Sequence, residues 1–238
     1  MQNVSYVGHS QGTEIAWIGL SSNYRDLSSK INLFIALAPV ARITHVEGFF
    51  KYLNLIEGKV ELFFKMFGVN DFAPSNWFMD ALATYLCPIE KSVVCRNILF
   101  AIAGPDLTNL NTTRMPIYVA HCPAGTSTRN IIHWAQMCAA KKLQKYDYES
   151  ASLNMKHYNQ TTPPQYDIRG ITTPVALIAG GNDYLGDPRD VAWLEGQLHP
   201  DIIVKNEFYD DYNHLDFVWG VDANRRFYDS LIELVKIY

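Results

Sequence analysis

Val4-Ser5-Tyr6-Val7-Gly8-His9-Ser10-Gln11-Gly12-Thr13 is the stretch that decides the reading of this chain. A short apolar run leads into Gly-x-Ser-x-Gly, the pattern of a serine held on a tight turn between a strand and a helix. Such a turn strains the serine backbone and brings other chain close by. Side chains are therefore expected to be excluded at both flanks, Gly8 and Gly12. The pattern predicts a strand over residues 3–8 and a helix over 13–20, with Ile15, Ala16, Ile18 and Gly19 as a small apolar packing surface.

Outward from this turn, residues 31–38 form a continuous apolar run of strand length, and residues 173–179 form another, ending at Gly180-Gly181. Continuous runs suit strands buried on both faces of a parallel sheet. A helix is expected over 189–198, a strand over 202–208, and an amphipathic helix over 222–237. Between about 45 and 168 the texture is helical, aromatic and irregular, as in residues 60–67, 97–103 and 130–140. The outline is β-α-β, a long helical insertion, then β-α-β-α. Alternation of this kind argues for an α/β fold with helices on the faces of a parallel sheet.

Composition narrows the function. Hydrophobic residues are 48% of the 238, enough for a sizeable core, and the formal charge of −4 argues against a nucleic-acid binder. No run reaches the ~18 apolar residues of a membrane span, and Met1 does not open a signal peptide. The four cysteines, Cys87, Cys95, Cys122 and Cys138, make no C-x-x-C pair, so a zinc site is not expected. Cys87 and Cys95 are near enough to close a small loop, with buried thiols as the alternative. Asn111 and Asn159 begin glycosylation sequons, and Asn3 begins a third that is expected to be buried in the first strand.

A serine hydroxyl becomes a nucleophile when a base takes its proton, and the base needs a third group to orient it. In a parallel sheet both partners belong just beyond strand carboxyl ends. Asp183 follows the run 173–179 in that position. Asp187 and Asp190 are rivals, but they lie further along and suit the start of the next helix. Two histidines follow Asp183. His199 precedes Pro200 at the amino edge of the sheet, the wrong edge, whereas His214 follows the strand 202–208 at the right one. The order Ser10, Asp183, His214 is that of the α/β-hydrolases. His45, His121, His133 and His157 have no metal-ligand spacing and read as polar residues of the insertion. His9 is expected to help shape the pocket, with no part in proton transfer.

At this point the chain resembles the acid lipase family, which includes lysosomal and gastric lipases. The resemblance rests on residues 8–13 (GHSQGT), 37–41 (LAPVA), 121–134 (HCPAGTSTRNIIHW), 180–187 (GGNDYLGD) and 213–219 (NHLDFVW). It implies an α/β-hydrolase fold with a core at 1–44 and 169–238 and a helical cap and lid at 45–168. It implies a Ser-Asp-His ester hydrolase of neutral lipids, triacylglycerols or sterol esters, that works without metal or cofactor. The backbone N–H of Gln11 would be an oxyanion donor. Cys87 and Cys95 resemble the family's cap disulfide, Asn111 a family glycosylation position, and the parent would be lysosomal or secreted. Members carry early strands and an HG-containing loop before the elbow, and these 238 residues do not include them. That departure leaves a second expectation open, a weakly active or non-catalytic lipid-binding fragment. A non-lipid hydrolase such as a thioesterase fits the long aromatic cap less well, and an epoxide hydrolase or dehalogenase would want Asp at position 10.

Overall fold

The computed structural model describes residues 3–48, 50–52, 71–72, 92–106, 108–122 and 124–238. Cys87 and the helical pattern read over residues 60–67 lie outside the described residues. Four parallel strands make the main sheet: β1 (Val4–His9), β2 (Ile31–Leu37), and, after the intervening segment, Val175–Gly180 and Ile203–Tyr209. The intervening segment contributes β3 (Asp71–Phe72) and the helix α2 (Ser92–Ala103), after α1 (Gln11–Ser21) of the first β-α-β unit. It continues with α3 (Met115–His121), β4 (Thr126–Ser127), α4 (Thr128–Ala140) and α5 (Ala151–Tyr158). The strand Val175–Gly180 is then β5, followed by α6 (Pro188–Glu195), β6 (Ile203–Tyr209), α7 (Asp216–Trp219) and α8 (Asp229–Ile237).

The spatial order is β1-β2-β5-β6. The long segment between β2 and β5 thus leaves and re-enters the sheet between two neighbouring strands. β5 is buried along its whole length, and β2 is buried except at Asn32, as their unbroken apolar runs predict. Alternation along β2 sends Phe34 and Ala36 to one face and Leu33, Ile35 and Leu37 to the other. On the first face Phe34 meets Trp17 of α1 edge-on at 4.5 Å between ring centres. On the second, Leu33 and Ile35 pack in one cluster with Phe217 of α7 and Phe227. Each such fully buried side chain contributes ~1.5–3 kcal/mol.

Two expectations fail here. Asn3 is exposed, because among the described residues β1 pairs on one side only, with β2. Val4 and Val7 are 58% and 55% exposed for the same reason. The closing helix is not uniform over residues 222–237. Asn224–Tyr228 is a π turn that runs into α8, with Phe227 fully buried within it.

Candidate active site

Ser10 sits between β1 and α1 at φ 58°, ψ −123°. Positive φ in a residue with a Cβ costs on the order of 1–3 kcal/mol and persists only where the surroundings impose it. Here they do. The Ser10 N–H donates to the Leu37 carbonyl at 3.1 Å. The Ser10 carbonyl accepts from the Thr13 N–H at 2.8 Å and from the Thr13 hydroxyl at 2.7 Å. Thr13 Oγ1 also accepts the Val40 N–H at 2.8 Å, which ties the elbow to the end of β2.

The expected glycine requirement holds at one flank only. A Cβ on Gly8 would lie 2.8 Å from the carbonyl carbon and oxygen of Gly12. A Cβ on Gly12 would meet nothing nearer than the Tyr6 hydroxyl oxygen at 3.7 Å, an ordinary contact. The turn closes over Gly8, whereas Gly12 already lies in the first turn of α1.

Ser10 Oγ lies 2.6 Å from His214 Nε2. The Nδ1–H of His214 donates to Asp183, at 2.8 Å to Oδ1 and 2.9 Å to Oδ2. Asp183 follows β5 and His214 follows β6, so both stand at strand carboxyl ends beside the elbow. Asp183 Oδ1 further accepts the N–H groups of Leu185 at 2.9 Å and Gly186 at 2.7 Å. Asp183 and His214 are 1% and 3% exposed, so solvent does not compete for these bonds. Gln11 is the first residue of α1, so its N–H has no acceptor within the helix and points out beside Ser10.

The rivals go elsewhere. Asp187 caps α6, accepting the Arg189 N–H at 2.8 Å. Asp190 is buried and accepts the N–H groups of Thr44 and His45 and the ring Nδ1–H of His45 at 2.9 Å, pinning the chain beyond β2 to α6. His199 is exposed on the short turn before β6. His133 Nε2–H donates to the Gln144 carbonyl at 2.8 Å, a structural contact.

Ser10 and Gln11 form part of the wall of an apolar cavity of about 210 Å³. Ile43, Val46, Phe50, Ile131, Trp134 and Leu185 supply most of the remaining wall. Trp134 and Phe50 are aromatic residues of this wall, and both come from the segment between β2 and β5, whose texture is aromatic.

Comparison with known proteins decides the family. The rat gastric triacylglycerol lipase (Rattus norvegicus) is 42% identical over 240 residues, 98% of this chain and 58% of its own. The nematode Lipase lipl-1 (Caenorhabditis elegans) is 42% identical over 235 residues, 97% of this chain and 58% of its own. The rat lysosomal acid lipase/cholesteryl ester hydrolase is 38% identical over 233 residues, 98% of this chain and 57% of its own. The chain belongs to the acid lipase family. It spans about 58% of the length of the relatives it matches. No family model matches it. Among solved structures, a soluble variant of the Saccharomyces cerevisiae monoglyceride lipase aligns with a TM-score of 0.49 at 13% identity, covering 98% of this chain and 62% of that one.

Within this site, some pairings carry no signal in local sequence. The Gln11 side-chain Nε2–H donates to Asn130 Oδ1 at 2.9 Å, and Asn130 Nδ2–H donates to Thr126 Oγ1 at 2.9 Å. Both Thr126 and Asn130 belong to the block 121–134 that carries the family resemblance, so the signal was present without its geometry. His9 Nε2–H donates to the His214 carbonyl at 2.7 Å. Burial, with the nearby His214, lowers the His9 pKa from 6.5 to about 4, so its ring is neutral. His9 therefore holds the backbone of His214, rather than shaping the cavity wall as expected.

Among the remaining expected positions, Cys95 is disulfide-bonded and Cys122 is an exposed free thiol. Asn111 caps a short turn, its side chain accepting from the Thr113 and Arg114 N–H groups. Asn159 is exposed at the left-handed end of α5. Among the described residues no cluster of side chains could hold a metal ion, and no helix is long and apolar enough to cross a membrane.

Proposed function

We propose that this protein is a serine ester hydrolase of neutral lipids, a triacylglycerol lipase or sterol esterase. One observation carries the reading. The hydrogen-bonded chain Ser10–His214–Asp183 opens onto an apolar cavity with Ser10 and Gln11 in its wall. Ser10 Oγ attacks the ester carbonyl as His214 Nε2 takes its proton. Asp183, bonded to the Nδ1–H, fixes the tautomer that leaves Nε2 free to accept, and it stabilises the imidazolium that forms. The tetrahedral oxyanion takes the Gln11 N–H. His214 then returns the proton to the leaving alkoxide. Water, deprotonated by the same ring, cleaves the acyl-enzyme to a fatty acid and free Ser10. The apolar wall favours an acyl chain by ~0.8 kcal/mol per buried CH₂.

In this reading residues 1–44 and 169–238 form the core and 45–168 the cap. The relatives' names support triacylglycerol or cholesteryl ester substrates and a lysosomal or secreted parent. A disulfide between Cys87 and Cys95 and glycans on Asn111 and Asn159 would suit that compartment.

A second reading has its own support. Val7 of β1, with Ile35, Leu37, Leu231 and Val235, lines an open apolar groove of about 420 Å³. A weakly active or non-catalytic lipid-binding fragment would hold an acyl chain in this groove.

Incubation with a fluorophosphonate probe and with p-nitrophenyl butyrate and tributyrin tests both readings. Labelling with turnover, both lost in Ser10→Ala, supports the lipase. Labelling without turnover supports the fragment. Equal labelling of wild type and Ser10→Ala removes Ser10 as nucleophile.

A further inference from the structure

Behind His214 lies a pair of carboxyl groups that the mechanism above does not use. Asp216, the first residue of α7, is 1% exposed, and Asp106, just beyond α2, is 4% exposed. Asp216 Oδ2 accepts the Asn213 N–H at 2.6 Å. Asp106 Oδ1 accepts the N–H groups of Thr108 at 3.0 Å and Asn109 at 2.8 Å. Asp106 Oδ2 is buried and, among the described residues, accepts no hydrogen bond from an N–H or a neutral O–H. The turn lies against the end of α7, where the Asn109 carbonyl accepts the Val221 N–H at 3.0 Å and Leu110 bridges to Gly220, and the Asp216 carboxyl is the acidic neighbour that acts on Asp106 there. Two carboxylates cannot bond to each other, because each only accepts. One proton on Asp216 changes that. Its O–H then donates to Asp106 Oδ2, and every buried oxygen of the contact gains a partner.

The segment held by this pair touches both partners of Ser10. The Ala103 carbonyl accepts the His214 N–H at 3.1 Å and the Tyr184 N–H at 3.3 Å, so one carbonyl bridges the histidine loop and the aspartate turn. Asn213 Nδ2–H donates to the Gly104 carbonyl at 2.9 Å. Gly104 packs so close to the Asp183 turn that a Cβ there would fall 1.8 Å from the Asn182 carbonyl oxygen.

We propose that Asp106 and Asp216 share a single proton, and that this acid–carboxylate pair positions His214 against Ser10 by clamping residues 103–106 to the histidine loop. The inference rests on the hydrolase reading for its activity readout but not for its stability readout. Burial above all, and the neighbouring Asp106, push the Asp216 carboxyl up to about 8. The charges facing the pair favour the same state. Asp222 approaches from the turn after α7 and accepts the Tyr212 hydroxyl at 2.6 Å, while Arg226 lies 3.7 Å from Asp222 and 2.6 Å from Asp211. The His214 ring is turned away toward Ser10 and Asp183. Among the described residues no cation pairs with Asp106 or Asp216. When the pH rises far enough to remove the proton, two buried negative charges face each other and the clamp loosens. Asp106 and Asp216 are positioning residues, because neither touches Ser10.

The test is the pH dependence of wild type, Asp216→Asn, Asp106→Asn and Asp216→Ala in the 238-residue chain. Either Asn supplies a permanent N–H donor in place of the shared proton. Wild-type kcat on p-nitrophenyl butyrate is expected to fall as pH rises through about 8, while both Asn variants keep their activity at least one pH unit further. Asp216→Ala is expected to lose tenfold or more in kcat at pH 6, with a smaller change in KM. Stability gives an independent readout with a fixed sign. A carboxyl held above its unfolded value makes the folded state bind the extra proton, so stability is lost as pH rises toward the folded value. The wild-type Tm should therefore fall relative to Asp216→Asn from pH 5 to 8, with a constant gap above. Superimposable alkaline limbs in wild type and both Asn variants, with a Tm gap that does not change with pH, would overturn the proposal. If no variant hydrolyses ester at any pH, the hydrolase reading fails and the Tm comparison still decides the pair. Asp106→Asn gives the same answer should Asp216→Asn not fold.

Discussion

Gly8→Ala and Gly12→Ala should have opposite consequences, although the motif treats the two glycines alike. The added methyl at Gly8 lies 2.8 Å from two backbone atoms of Gly12 and 3.0 Å from the Thr13 nitrogen, where ordinary contact begins near 3.4 Å. The start of α1 must therefore move by roughly 0.6 Å, and backbone cannot swing aside as a side-chain tip can. Overpacking of this kind costs ~1–3 kcal/mol, or about 2–12 °C in Tm for a chain of this size. The same shift stretches the 2.6 Å contact between Ser10 and His214 and moves the Gln11 N–H. A misplacement of about 1 Å can cost ~10²-fold, so Gly8→Ala should lose on the order of tenfold or more in turnover. Gly12→Ala meets only the Tyr6 hydroxyl oxygen at 3.7 Å and sits within α1. Replacing glycine with alanine in a helix gains up to ~1 kcal/mol, so its Tm should hold or rise by a few degrees. Thermal melts and fluorophosphonate labelling rates on the two variants make the comparison. A stable, fully reactive Gly8→Ala beside a crippled Gly12→Ala would refute this account of the elbow.

Three further outcomes follow from the site and the core. Asp183→Asn should preserve the fold but favour the wrong tautomer of His214, lowering kcat by ~10³–10⁴ with little change in KM; a loss under tenfold would remove Asp183 as the orienting group. His9 is held neutral, its pKa lowered from 6.5 to about 4. The unfolded state therefore binds the extra proton in that window, and stability is lost as pH falls from 6.5 toward 4. His9→Gln keeps an N–H donor for the His214 carbonyl without that linkage, so it should gain on wild type by up to about 3 kcal/mol at pH 4, at 1.36 kcal/mol per unit; denaturant melts showing no pH-dependent gap would count against it. Glu14 of α1 is 4% exposed, and burial pushes its carboxyl up from 4.5 to about 8. The folded state keeps that proton, so stability falls as pH rises from 4.5 to 8. Glu14→Gln should be more stable than wild type by on the order of 4 kcal/mol at pH 8 and nearly equal at pH 4.5; equal urea midpoints at pH 8 would show that Glu14 ionises without penalty.

The sequence by itself carried whatever depends on neighbours along the chain. The apolar runs behind β2 and β5 are legible because a strand buried on both faces needs an unbroken run. The serine turn is legible because the tight elbow brings the Gly12 backbone so close to residue 8 that only glycine fits there. Asp183 and His214 were separable from Asp187, Asp190 and His199 because a strand's carboxyl end can be located from the run that precedes it. The π turn within residues 222–237 is not legible, because one extra residue in a turn leaves no mark on apolar spacing. What only tertiary structure decided depends on segments that meet from far apart. Gly12 proved free of steric constraint because the turn closes over one flank and not the other. The Gln11–Asn130 bond joins residues 119 positions apart, and no local period records it. Asp106 and Asp216 lie 110 positions apart, and nothing local marks them until the fold buries both. Burial then leaves two carboxyl groups in contact away from water, and only a shared proton between them satisfies both.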